Sequence, residues 1–270
     1  MDDVLSNPAF QAGLAPFLCA LVVAGVLRRS HLAGLALAAA FFAVVGLTVG
    51  YSFDALTAVR KLVVVVLCFT ALVALLPSQL AVSAAVRTAL GIAAALAGVW
   101  VAWRIIEQRP GLGGAGLLGA AVAAYLMMLM ESTLRAATRA NAAAAISLVQ
   151  GITAGLLCVL GASALLAQFG VAIAVASAAL LMVQLVGAQG GANGWLTGTL
   201  SALTLGIVDL LAVLTGSLPW YCLLPCLALP WATHALPVHS WRTAMLGVLA
   251  AAVPGAIAVA MAWFGIAPAA

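Results

Sequence analysis

Uncharged apolar stretches of about 18 to 25 residues follow one another along nearly the whole chain, the length a helix needs to cross about 30 Å of hydrocarbon. Short polar breaks separate them. In a bilayer interior no water is present to satisfy backbone N–H and C=O groups. Each such stretch must therefore close its own hydrogen bonds as a helix. A transmembrane barrel would instead show ten-residue segments alternating apolar and polar, and none occurs. Composition agrees: 67% of the 270 residues are hydrophobic and only 6% are charged, against about a quarter charged in a soluble domain. The expected fold is an all-α integral membrane protein, a bundle of about ten transmembrane helices.

Read in order, the spans are 8–27, 32–50, 62–76, a fourth from 80 or 88 to 104, 112–130, 142–168, 171–187, 194–216, 218–236 and 243–264. Met1 is followed by an acidic start rather than a basic leader, so the first block is expected to remain as a span. The stretch ESTLRAATRAN lies at the midpoint and divides the chain into tentative halves, 1–135 and 136–270, of five spans each. Halves with an odd number of spans would face opposite ways, as in inverted-repeat transporters. The two do not align convincingly, and nine of the ten basic residues precede Ala140. Lys and Arg in alternate loops number six on the side of Arg28-Arg29 and four on the other, which places the N-terminus outside the cytoplasm by the positive-inside rule. These charges sit singly or in pairs at block edges, as membrane anchors do, so no nucleic-acid surface is expected.

One helix breaks the apolar rule. Asp209 lies well inside 194–216, and between Arg139 and Arg242 no other residue carries a formal charge. At about 100° per residue, Gly198, Ser201, Ala202, Gly206, Ala212 and Gly216 fall on the Asp209 side of the helix. Leu196, Leu200, Leu203, Ile207, Leu210, Leu211 and Leu214 fall on the other. Small residues admit a neighbouring helix and leucines suit lipid, so Asp209 is expected to face protein or a wet cavity. A carboxylate at that depth is costly and marks a proton relay or a cation contact in a transport path. The competing explanation is a structural hydrogen bond to a neighbouring helix. Gln150, Gln184 and Ser201 are candidates for the same path, although buried amides commonly serve as interhelical glue.

The ninth span holds Pro219, Pro225, Pro230 and Pro237, which should bend or break it and make Pro219, Pro225 and Pro230 hinge candidates. Cys222, Cys226, His234 and His239 are spaced C-x3-C and H-x4-H. Pro225 disturbs the shared face of the two cysteines and the histidines sit at a span end, so no metal is expected there. No other cofactor is indicated. The chain lacks HExxH, GxSxG, paired carboxylates and acidic diphosphate-binding motifs, and it is not expected to be an enzyme. Trp100, Trp103, Trp195, Trp220, Trp231 and Trp241 read as an aromatic belt.

NPAFQAG at the start, TAVRKLVVV before the third span and GASALLAQFG between the sixth and seventh resemble segments of polytopic inner-membrane proteins of proteobacteria. The resemblance implies a multi-pass protein of a bacterial inner membrane and carries over no functional residue. The expected function is a secondary transporter or permease for a small neutral or apolar solute, coupled through Asp209 to protons or another cation. The alternative is a non-catalytic membrane subunit whose alanine and glycine faces dock partner proteins within the bilayer.

Overall fold

Self-satisfied backbone is what turns the apolar blocks into helices, and the computed structural model shows them. It describes residues 7–51, 56–77, 83–108, 112–137, 139–161, 163–186, 194–216, 218–234 and 241–266. The helices are α1 (Ala15–Leu27), α2 (Leu35–Thr48), α3 (Ala58–Leu75), α4 (Ala84–Glu107), α5 (Leu112–Ala136), α6 (Ala140–Leu160), α7 (Ala164–Val186), α8 (Trp195–Thr215), α9 (Leu223–His234) and α10 (Trp241–Ile266). A π turn, Phe10–Leu14, leads into α1, and 3-10 turns, His31–Gly34 and Trp220–Cys222, precede α2 and α9. No strand occurs among the described residues. Nine helical segments there are long and apolar enough to cross a membrane. The protein is an all-α polytopic bundle.

Polar residues at the breaks start the helices. Thr57 Oγ1 accepts from the Arg60 N–H at 3.4 Å and Ser83 Oγ from the Val86 N–H at 3.2 Å, so α3 opens before the apolar run and α4 opens between the two expected starts. The sixth and seventh spans divide at Gly161 rather than near Gln168. Ser163 Oγ accepts from the Leu166 N–H at 3.4 Å and begins α7, which then carries Gln168, Phe169 and Gly170 in its interior. The sequence-based boundary was set by a glutamine and a glycine that α7 absorbs.

That absorption has a packing reason. A Cβ on Gly170 would lie 2.5 Å from the Gly155 nitrogen, and one on Gly151 would lie 2.6 Å from the Ala174 nitrogen. Three glycines thus bring the backbones of α6 and α7 into direct contact, the close crossing that small residues permit in membranes.

The bundle is organised around α8. Helices α2 through α7 all pack against it. It is buried from Trp195 to Ala212, and only its last turn, with Leu214 half-buried, reaches the surface. This corrects the expected leucine face: Leu196, Leu200, Leu203, Ile207, Leu210 and Leu211 are all buried inside protein. Trp195, placed in the aromatic belt from sequence, is likewise buried at the head of α8, whereas Trp100, Trp103, Trp220 and Trp231 are exposed. Helices α1 and α2 pack on α7, and α3, α4 and α5 pack on α8, so elements of the two tentative halves interleave.

The ninth expected span is short. After the 3-10 turn, α9 has 12 residues, about 18 Å of helix and too little to cross about 30 Å of hydrocarbon. Pro219 lies just before the 3-10 turn. Pro225 falls in the first turn of α9, where a missing N–H removes little. Pro230 is interior and withdraws the donor that the Cys226 carbonyl would otherwise receive. Pro237 and His239 lie outside the described residues, as does most of the glycine-rich loop 187–194.

Candidate functional site

Asp209 is buried, 4% exposed, on the face of α8 that turns towards α5. Gly206, one turn earlier, permits that approach. A Cβ there would meet Leu126 Cδ2 at 2.7 Å and Leu129 Cδ2 at 3.0 Å. Gly198 does the same further along, against Ala137. With α5 drawn in, the Tyr125 hydroxyl donates to Asp209 Oδ2 at 3.2 Å. The acid is held by a phenol, not by a cation.

Its other oxygen is different. Oδ1 is buried and has no hydrogen-bond partner among the described residues. Asp209 also lines a small cavity, together with Leu129 of α5, Gln150 of α6, Leu205 of α8, and Cys226 and Leu229 of α9. The space open to the centre of a water-sized sphere is about 10 Å³, room for roughly one water molecule. Gln150 Nε2 donates to Thr133 Oγ1 at 3.2 Å, and Gln150 Oε1 is a second buried acceptor without a partner among the described residues. The Cys226 thiol is turned back to the Cys222 carbonyl at 3.6 Å.

A polar cluster therefore runs from Thr133 through Gln150, across the cavity to Asp209, and on to Tyr125. Thr133 and Tyr125 are eight residues apart on α5, about 12 Å along its axis. Gln150 is midway along α6 and Tyr125 midway along α5, so the cluster lies deep in the bundle. Two residues before Thr133, Glu131 pairs with Arg135 at 2.8 Å and with Arg87 of α4 at 3.6 Å. That ion-pair group clamps α4 to α5.

Of the residues singled out from sequence, the structure brings Asp209, Gln150 and Cys226 to one cavity. Ser201 is fully buried but spends its hydroxyl on the Gly198 carbonyl of its own helix at 3.2 Å. Gln184 is half-buried near the end of α7, and neither it nor Ser201 lines the Asp209 cavity. Pro219, Pro225 and Pro230 belong to the segment that supplies the α9 wall. Cys222 and Cys226 are buried, while the His234 side chain and all of His239 lie outside the described residues. Among the described residues, no group of three or more His, Cys, Asp or Glu could hold a metal.

Sequence reasoning missed Tyr125. The available signal was a phenol in the middle of an apolar span, since a buried Tyr O–H needs an acceptor. Thr133 was missed for a different reason: hydroxyls in membrane helices usually bond their own backbone.

A second, larger space lies elsewhere. An apolar groove of about 580 Å³ between α6 and α10 is lined by Ile152, Leu156, Val248, Gly255 and Trp263 among others. It shares no lining residue with the Asp209 cavity. Comparison of the chain with protein-family models, with curated proteins and with solved structures finds no match.

Proposed function

We propose that this chain is a secondary transporter of a bacterial inner membrane, carrying a small neutral or apolar solute, with Asp209 as the acid whose charge state couples the cycle. One observation carries the reading: a carboxyl group deep in the bundle has one oxygen without a donor among the described residues, and its residue lines a cavity. A purely structural aspartate would be expected to have both oxygens satisfied, because an orphaned buried acceptor is costly. Ionisable groups inside membrane bundles mark ion or substrate pathways by default.

The cavity admits about one water, so it is an ion-handling site in a closed state and not a solute pocket. Solute would reach it when the α9 wall moves. That wall is the short helix, ending in no full span and carrying the interior Pro230. The test is reconstitution of the purified protein alone, with solute-driven proton and cation fluxes compared between wild type and Asp209→Asn. Asparagine keeps an acceptor for Tyr125 and offers an N–H towards Gln150, so the fold is retained while the ionisable group is lost. Flux unchanged by that substitution would remove Asp209 from the coupling role.

A second reading, a membrane subunit that docks partner helices, is favoured by the start of α5. A Cβ added at Gly113, Gly114, Gly116 or Gly119 meets nothing within 4 Å. Glycines with open space where a side chain would stand offer a surface on which another helix can pack. Under this reading, gentle purification yields a stoichiometric partner that Gly116→Leu releases.

A further inference from the structure

We propose that the Asp209 cavity is a proton site served by one bound water, and that the ion exchanged there is a proton and not a metal cation. The inference rests on the transporter reading only for its role in coupling; the site itself stands on the donor and acceptor inventory.

The inventory is short. Two of the residues lining the cavity each carry a buried side-chain oxygen without a donor among the described residues, Asp209 Oδ1 and Gln150 Oε1. The other side chains of the lining residues are Leu129, Leu205, Leu229 and a thiol already directed at the Cys222 carbonyl. Both orphans are acceptors, so what is missing is a pair of O–H donors. A single water supplies two, and the space is the size of one. Hard metal cations require about six or more oxygen ligands. Two side-chain oxygens among leucines do not make such a shell.

One water also serves both charge states of the acid. With Asp209 ionised, the water donates one hydrogen to Oδ1 and the other to Gln150 Oε1. When an excess proton arrives, the hydronium O–H breaks, the carboxyl O–H forms at Oδ1, and neutral water remains. The carboxyl then donates to the water oxygen, and the water still donates to Gln150. Tyr125 keeps Oδ2 supplied throughout. Gln150 is thus a positioning residue: it holds the water that meets the proton, and Thr133 fixes the amide by accepting from Nε2.

Infrared difference spectroscopy of the full chain in vesicles tests this without any solute. A step in pH should produce, among the protonated-carboxyl C=O bands, one that shifts in heavy water and is missing from the Asp209→Asn spectrum. The same step should show an O–H band of one confined water, shifted by H2(18)O and absent in both Gln150→Leu and Gln150→Met. Exchanging Na+, K+ and Ca2+ at constant pH should leave the carboxylate bands unchanged. The proposal is overturned if the pH step gives the same carboxyl bands in wild type and Asp209→Asn. It is equally overturned by a wild type lacking the isotope-sensitive water band, or by salt-induced carboxylate shifts that vanish in Asp209→Asn. A pH-dependent Asp209 band without solute flux would sink the transporter reading and leave the proton site standing. Flux without the band would do the reverse.

Discussion

The Tyr125–Asp209 contact gives a prediction whose size follows from its geometry. At 3.2 Å the O···O distance is long against the usual ~2.7–2.8 Å, which lowers its strength. Burial of both partners raises it, because each loses most of its alternative in water. Hydrogen bonds to charged groups contribute about 1.5–3 kcal/mol in soluble proteins. Interhelical bonds in membranes average about 0.6 and reach about 1.7 kcal/mol. A coupling of about 1 kcal/mol is therefore expected, roughly a fivefold change in the folded-to-unfolded ratio. A double-mutant cycle isolates it. Tyr125→Phe should destabilise the wild type by about 1 kcal/mol, since Asp209 would then have neither oxygen supplied by protein. In an Asp209→Leu background the hydroxyl has nothing to donate to, so removing it should cost nothing or stabilise. Equilibrium unfolding in mixed micelles of denaturing and mild detergent provides the free energies. A coupling within about 0.3–0.5 kcal/mol of zero, the range of independent sites, would refute the claim that this bond ties α5 to α8.

Other predictions follow from close approaches and from charges. Gly170→Ala drives a methyl into the backbone of α6 and should destabilise by about 1–3 kcal/mol or more, whereas Gly116→Ala meets open space and should be neutral or stabilising; in thermal unfolding only the first should lower the midpoint. Glu131→Gln removes an ion-pair partner from both Arg87 and Arg135 and should cost only about 1 kcal/mol or less, with the deficit shrinking in high salt because Arg135 is exposed. Gly206→Val pushes Leu126 and Leu129 outward; it should lengthen the Tyr125–Asp209 contact and reduce the coupling measured above, which repeating the cycle in that background reads directly.

Helical class and most span positions were legible because lipid leaves a backbone no alternative, and block length alone carries that constraint. The centrality of α8 was not legible. Leucine is as comfortable against protein as against lipid tails, so Leu200 or Leu203 reads the same in either setting. What periodicity did show was where helices come close: Gly198 and Gly206 mark the face that meets α5. Asp209 stood out as the lone charge of its region, and Gln150 was a candidate beside it. Tyr125 lies 84 residues away in sequence, beyond any local spacing that could have paired the two. The prolines signalled an interrupted ninth span; that α9 is a half-length helix walling the acid's cavity depended on the packing of α9 against α5 and α6.

Whether water can deliver a proton to Asp209 can be measured on supported membranes carrying the purified protein, with no solute present. A rapid pH jump should drive a transient charge displacement in wild type as the buried carboxyl gains or loses its proton. Asp209→Asn, folded and reconstituted to the same density, should give none. Equal transients from the two proteins, or none from either, would contradict a proton-exchanging Asp209.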